Sequence, residues 1–433
     1  MYKLKVLGFL IFFSFLCLSE IISQEISKET LQFGFVYRFR FVSWDNAIHL
    51  DENKNSDSIF TRHRTNFILN WNPHPKFELA LKMTNEFRYY FIPSDRDFNI
   101  HEFFMDDLFF KWKKPFDLPL QLSLGRQNMM LGEGFVVMDG HPLDGSRSIY
   151  FNALRADFNI NENSNLIFFY TYQPRKDTWL PVFNDQEQPL IEQPEEGIGL
   201  YFRKTSKQTG YDAYFIQKNI YSVESIPVGS TINTIGARIK VPIIDTFFLS
   251  AEGAFQSGSY GDYGRNSIGG YYHLDYISDL IFPGPSSITF GGIFLSGDDP
   301  TTNKMEGWDP LFSRWPKWSE AYIYTLIPEY NGKVAYWSNF ASIYAEMKFN
   351  VTSKINLGVT YHHLTAPQPN ERPGLFPGGT GKNRGELLIN RVNFRFSQKV
   401  SGHFHLEKFF PGNYYHAGAD NYYWLRVELM FSY

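Results

Sequence analysis

Cysteine is all but missing from this chain: among 433 residues only Cys17 is one, inside the apolar run Val6–Leu18 that follows Lys3 and Lys5. With Ser23 at a cleavage position before Gln24, residues 1–23 read as a secretory signal peptide rather than an anchor. The residues before Cys17 are Ser14, Phe15 and Leu16, not the small residue that a lipoprotein signal uses. Residues 24–433 then carry no thiol, which excludes disulfides, thiolate metal sites and cysteine catalysis and suits an oxidising periplasm. Long apolar runs are missing too. No later segment approaches the ~18 consecutive apolar residues of a spanning helix, and mean hydropathy is −0.31. The formal net charge of −4 argues against nucleic acid as a partner. No fixed-period repeat of the kind a soluble propeller carries is present.

Aromatics are abundant instead: 18% of the chain, mostly 43 Phe and 27 Tyr, more than a water-soluble protein of this hydropathy buries comfortably. Their spacing explains them. Leu31, Phe33, Phe35, Tyr37, Phe39 and Phe41 alternate with Gln32, Gly34, Val36, Arg38 and Arg40. Phe67, Leu69 and Trp71 oppose Arg62, Arg64, Asn66 and Asn70, and Phe77 to Tyr89 repeats the pattern against Glu78, Lys82, Glu86 and Arg88. Period two is the signature of a strand with two different faces. Similar ribbons lie near 102–113, 118–127, 149–160, 165–173, 197–205, 210–219, 232–242, 247–257, 267–276, 287–296, 335–349, 354–364, 385–396 and 400–410.

The last ribbon, 421–433, sets Tyr423, Leu425, Val427, Leu429, Phe431 and Tyr433 against Trp424, Arg426, Glu428, Met430 and Ser432. With its terminal aromatic it resembles the closing strand of a bacterial outer-membrane β-barrel, the signal read by the barrel assembly machinery. The count is roughly 18 strands, an even number as single-chain barrels have. A transmembrane antiparallel barrel shows aromatics to outer-membrane lipid and polar groups to its lumen, so mean hydropathy stays mild. The links alternate as well. Long ones at 45–58, 91–100, 128–148, 174–196, 220–231, 258–266, 297–334, 365–384 and 411–420 are separated by short ones, with 280–286 somewhat long for a periplasmic turn. Long extracellular loops and short periplasmic turns are the expected rims of one barrel domain over 24–433.

One stretch has more local character. Leu122 to Phe158 carries Gly125-Arg126-Gln127, then Gly132 and Gly134, then Asp144-Gly145 and Arg147, and it resembles the hallmark segment of the alginate export family of outer-membrane proteins. Ala251 to Gly258, Leu295 to Phe312, Gly385 to Leu387 and Lys408 to Tyr415 resemble the same family in order along the chain. The resemblance implies a monomeric 18-stranded barrel passing an anionic polysaccharide through a basic lumen. Loops shorter than a dedicated exporter's leave the substrate open. Physically, the glycines allow positive φ or close backbone approach. Arg126, Asp144 and Arg147 could pair to fold a constriction loop inward, or could touch solute.

Face assignment puts Arg38, Arg40, Arg62, Arg64, Lys82, Arg88, Arg155, Arg203, Lys218, Arg238, Lys240, Lys348, Arg391, Arg395 and Arg426 in the lumen. Against them stand Glu78, Glu86, Asp157, Asp212, Glu252, Glu346, Glu407 and Glu428, an interior excess of about seven positive charges. Such a wall favours anions and disfavours small cations, and guanidinium forks suit carboxylates. The same residues can equally form Arg–carboxylate ladders that stiffen a general pore. Both readings stand, as do anionic polysaccharide export, organic-acid uptake and a structural or adhesive barrel.

Enzyme readings are weaker. His403, His405 and Glu407 share a face and could hold a metal or simply line the wall. Asp298, Asp299 and Asp309 lack EF-hand spacing. No Ser–His pair stands out, and no cofactor is implied.

Overall fold

A computed structural model describes residues 30–46, 50–54, 57–96, 102–139, 150–187, 189–278, 286–313, 318–320, 328–330, 333–334, 338–369 and 378–433. The signal segment 1–23, together with Asp144, Gly145 and Arg147, lies outside the described residues, as does almost all of the 280–286 link.

Eighteen barrel strands run among the described residues, and each expected ribbon is one of them. They are β1 (Thr30–Asp45), β2 (Ser58–His74), β3 (Phe77–Ile92), β4 (Phe103–Lys113), β5 (Leu120–Gln127), β6 (Phe151–Asn161), β7 (Ser164–Gln173), β8 (Glu195–Thr205) and β9 (Gly210–Ile220). The second half comprises β10 (Ser230–Ile244), β11 (Phe247–Tyr260), β12 (Tyr263–Ser278), β13 (Ser286–Leu295), β14 (Phe340–Thr352), β15 (Ile355–Thr365), β16 (Asn383–Arg395), β17 (Val400–Pro411) and β18 (Tyr422–Ser432). Consecutive strands pair antiparallel. The last strand returns to the first, with Val36 opposite Ser432 and Asp45 opposite Tyr423. Closure leaves no sheet edge with unpaired backbone groups, the condition for strands to sit in lipid.

The two faces follow the alternation. Phe33, Phe67, Ile235, Phe290, Ile343 and Phe431 are exposed on the outside, while Arg40, Arg64, Glu407 and Arg426 are buried within. In water that continuous apolar exterior would be an aggregation surface; in a bilayer it is the solvated one. Aromatics collect near both ends of the strands, with Tyr89 and Phe91 toward the long-loop rim and Trp71 and Phe116 toward the short-turn rim.

One link differs from expectation. Instead of a long loop at 258–266, β11 and β12 continue to a two-residue turn, Gly261-Asp262, with Tyr260 opposite Tyr263. Gly261 has φ +57, the left-handed conformation that tight hairpin turns require. Ser257 to Gly264 lacks apolar alternation, so period alone could not detect the extended hairpin. Lys304-Met305 pairs alongside its Gly264-Arg265.

Candidate functional site

The lumen is built by two contributors: wall side chains set by strand parity, and two long loops that fold back inside. The loop after β5 forms a small hairpin, Met129-Met130 against Val137–Asp139, and Phe312-Ser313 from the loop after β13 lies parallel to Val137-Met138. Gly132 and Gly134 have φ of +58 and +78, which only glycine adopts cheaply. Phe135 stacks on Trp308 at 5.3 Å and meets Tyr271 edge-on at 5.4 Å, and Phe312 packs against Phe151 and Phe169. The wall makes room for the loops. A Cβ at Gly269 would lie 2.5 Å from the Trp308 ring, and one at Gly197 would lie within 2.3 Å of Phe312. An apolar wad therefore fills the side of the lumen lined by β6 to β12.

Wall charges pin that wad. Lys218 donates to the Leu311 carbonyl at 2.6 Å and pairs with Glu195 and Asp309. Arg238 joins Asp212 at 2.7 Å to Glu133 of the first loop at 3.4 Å, and His273 meets Glu133 and Asp275. Tyr201 donates to Asp212, while Tyr214 and Tyr271 both donate to Glu252. Arg203 reaches Asp212 at 3.8 Å.

The opposite wall is basic. Glu86 pairs with Arg62, with Arg38 at 3.2 Å and with Arg64 at 3.7 Å; Arg64 also reaches Asp106 at 3.6 Å. Lys82 bridges Asp106 and Asp107, and Arg88 contacts Tyr90 and the Phe60 ring. Arg40 donates to Glu428 at 2.6 Å. Arg426 donates through Nε to His403 Nε2 at 2.8 Å, and its fork takes both oxygens of Glu320 at 2.8 and 2.6 Å.

Register links these groups into one path. Across neighbouring strands Asn350 faces Asn356, then follow Asn393, His403, Glu428, Arg40, Arg62 and Arg88. Barrel strands tilt by roughly 35–45° from the axis, so a row perpendicular to them climbs as it goes round. Asn356 is next to the short-turn end of β15, whereas Arg62 and Arg88 lie near the long-loop ends of β2 and β3. The row is a staircase from one rim to the other. Its foot is a polar pocket of about 320 Å³ lined by Asn350, Asn356, Asn393, Arg395 and His403 among others.

The expected site residues divide by partner. Arg38, Arg40, Arg62, Arg64, Lys82, Arg155, Arg203, Arg238 and Arg426 each have a carboxylate partner, with Arg155 held bidentate by Asp157. Arg391 bonds Asn393 and His403, and Lys240 and Arg395 are exposed toward the short-turn rim. Among the described residues these three have no carboxylate partner. Arg126 is buried, stacked 3.6 Å from the Tyr150 ring centre and forked onto Asp177 at 2.7 and 2.9 Å. Asp177 belongs to the loop after β7, whose Val182-Phe183 pairs with β4 above the point where β5 stops. Arg126 thus locks a patch of wall. Gly125 beside it has φ +127, and a Cβ there would lie 2.3 Å from the Leu108 carbonyl.

The interior excess is smaller than strand parity counted. Asp106 sits at a register shift in β4, Glu195 begins β8, Asp275 lies within β12 beside His273, and Glu133, Asp309 and Glu320 enter from loops. Parity cannot assign a loop residue to the lumen. His403, His405 and Glu407 do not converge on a metal geometry: His405 bonds Glu407 at 2.8 Å, and His403 serves Arg426 and Glu428. Ser342 Oγ lies 3.0 Å from His362 Nδ1, a buried pair that the sequence did not single out. In the loop after β13, the Thr301 hydroxyl and amide hold the Asp299 carboxyl below its usual range, while Asp298 accepts from the Glu306 amide.

No family model matches the chain, and no curated protein matches it. Solved structures do. The chain is similar to three Pseudomonas aeruginosa structures: OccK2 (OpdF) in complex with glucuronate (TM-score 0.59, 9% identity, 94% of this chain and 99% of that one), OccK7 (OpdD) (0.57, 12%, 93% and 98%), and OpdK with vanillate (0.55, 9%, 93% and 98%). At such identity the likeness establishes the fold, a closed 18-stranded barrel. It does not extend to the alginate export family.

Proposed function

We propose that this protein is an outer-membrane porin through which small carboxylate-bearing anions diffuse along the arginine staircase. The observation that carries this reading is the in-register row Glu428, Arg40, Arg62, Arg88, flanked by Arg38, Arg64, Arg391 and Arg426. Along such a wall a partly desolvated carboxylate exchanges water for fixed guanidinium forks, which small hydrated cations cannot do. The structural relatives point the same way, since both vanillate and glucuronate are carboxylates. Organic-acid passage is favoured over polysaccharide export because two loops occupy the lumen beside the row, leaving it to small solutes. Glycans need a wider opening. The chemistry is that of a binding wall, with no step that breaks a covalent bond.

The test is electrical. In planar bilayers under a salt gradient the open channel should prefer chloride, and glucuronate or an aromatic carboxylate should block it more tightly than a neutral sugar of equal size. Cation preference, or equal block by the neutral sugar, would leave only a general pore.

A further inference from the structure

In the loop after β13, Trp318–Glu320 lies against the wall through specific side-chain and backbone contacts. Glu407, fully buried on β17, receives the Ser319 hydroxyl at 2.6 Å on one oxygen and the Glu320 amide at 2.8 Å on the other, with His405 also donating at 2.8 Å. This fixes the backbone. The Glu320 side chain then turns to Arg426 and fills its guanidinium fork in the bidentate manner. Arg426 is itself buried, oriented by His403 through Nε and lying 5.1 Å from the Trp424 ring centre. It stands one register step above Glu428, next to the staircase.

We infer that Glu320 is a built-in competitor: its carboxylate occupies the Arg426 subsite that a transiting carboxylate would otherwise take, so only solutes able to replace a forked carboxylate displace it. The inference rests on the anion path proposed above and assigns its specificity-determining residue. The physical reason is one of matching. A Glu carboxylate and a solute carboxylate present the same two oxygens to the same two N–H groups, whereas chloride offers a single centre and gains little from the fork. An intramolecular competitor is present at high effective concentration and raises the threshold for weak anions more than for carboxylates. A simple purpose as wall glue fits less well. The Ser319 hydroxyl and the Glu320 amide, both bonded to Glu407, already fasten this segment, and an amide side chain there would avoid placing a fixed anion in an anion path.

The full-length channel in planar bilayers, carrying Glu320→Gln, tests this. The substitution keeps shape and the amide bond to Glu407 but removes the competing charge. The dissociation constant for glucuronate block should fall about tenfold, clearly more than the rise in chloride conductance that loss of one charge brings. Combining it with Arg426→Lys, which keeps the charge but loses the fork, should abolish most of that gain. Unchanged glucuronate block, an equal gain for chloride and glucuronate, or full additivity of the two substitutions would each overturn the competitor role. A cation-selective unmodified channel would instead overturn the anion path on which it rests, so the two failures are distinguishable.

Discussion

Glu86→Gln isolates the electrostatics of the basic wall, because one buried carboxylate there serves three arginines. Glu86 takes Arg38, Arg62 and Arg64, while Asp106 and Asp107 serve Lys82 and Asp106 also reaches Arg64. Four cations thus face three carboxylates, and the substitution changes a surplus of one positive charge to two. For an anion passing about 7 Å away at an effective dielectric near 20, one unit charge contributes about 2 kcal/mol. Screening at about 0.1 M salt, where the Debye length is about 10 Å, reduces this to about 1 kcal/mol. Local anion occupancy should therefore rise roughly five- to tenfold. The cost is in stability. Removing one partner from a buried ion pair costs about 3–5 kcal/mol, and Glu86 and its three arginines are buried, although the wall keeps its strand pairing. Reversal potential in a KCl gradient of about tenfold measures the first effect, and heat-modifiability on gels confirms a folded barrel. An unchanged reversal potential, or a shift toward cations in a folded barrel, would show that ions do not pass this wall.

Two further substitutions probe the exterior and the loops. Ile235, on the outside midway along β10, should destabilise the barrel by about 2–4 kcal/mol when changed to Arg, as charge near the bilayer midplane does; folding titrations in lipid vesicles measure it, and a cost under about 1 kcal/mol would reject the face assignment. Trp308→Ala removes the ring stacked on Phe135 over Gly269 and should loosen the loop wad and raise single-channel conductance. Unchanged conductance would place the limiting section elsewhere.

The fold was legible because lipid imposes one rule on every strand. Apolar side chains must alternate outward over the whole apolar band, so Phe33, Phe35 and Phe67 reveal both a strand and its facing. Where the rule lapses, so does the reading. Ser257 to Gly264 stands beyond that band and carries no alternation, and the hairpin at Gly261 escaped detection. Parity also placed Arg38, Arg62 and Arg426 in the lumen, but it says nothing of loops. Hence Glu133, Asp177, Asp309 and Glu320, each of which meets a wall cation, were invisible as lumen or wall partners. Arg126 illustrates the point: its fork closes on Asp177, 51 positions away, while Asp144 and Arg147 lie outside the described residues.

On the proposed anion path, a selective wall and structural ladders are compatible, because the partners assigned in space divide the cations. Arg238 and Lys218 hold loops, Arg155 is neutralised by its own strand neighbour Asp157, and Arg126 seals the wall. These are fasteners. Arg38, Arg62 and Arg64 converge on one carboxylate, so their ladder is stiff yet under-neutralised, and stiffness there preserves the field rather than cancelling it. Arg391, Lys240 and Arg395, toward the short-turn end of their strands, add charge that no carboxylate pairs directly among the described residues. An anion entering among the long loops would therefore meet guanidinium groups in register with one another. It would find the least compensated ones near the other rim. Continuity of that kind matters more than the total, because a fixed positive charge deep in one place would bind an anion and hold it, whereas closely spaced subsites of similar strength let it move on.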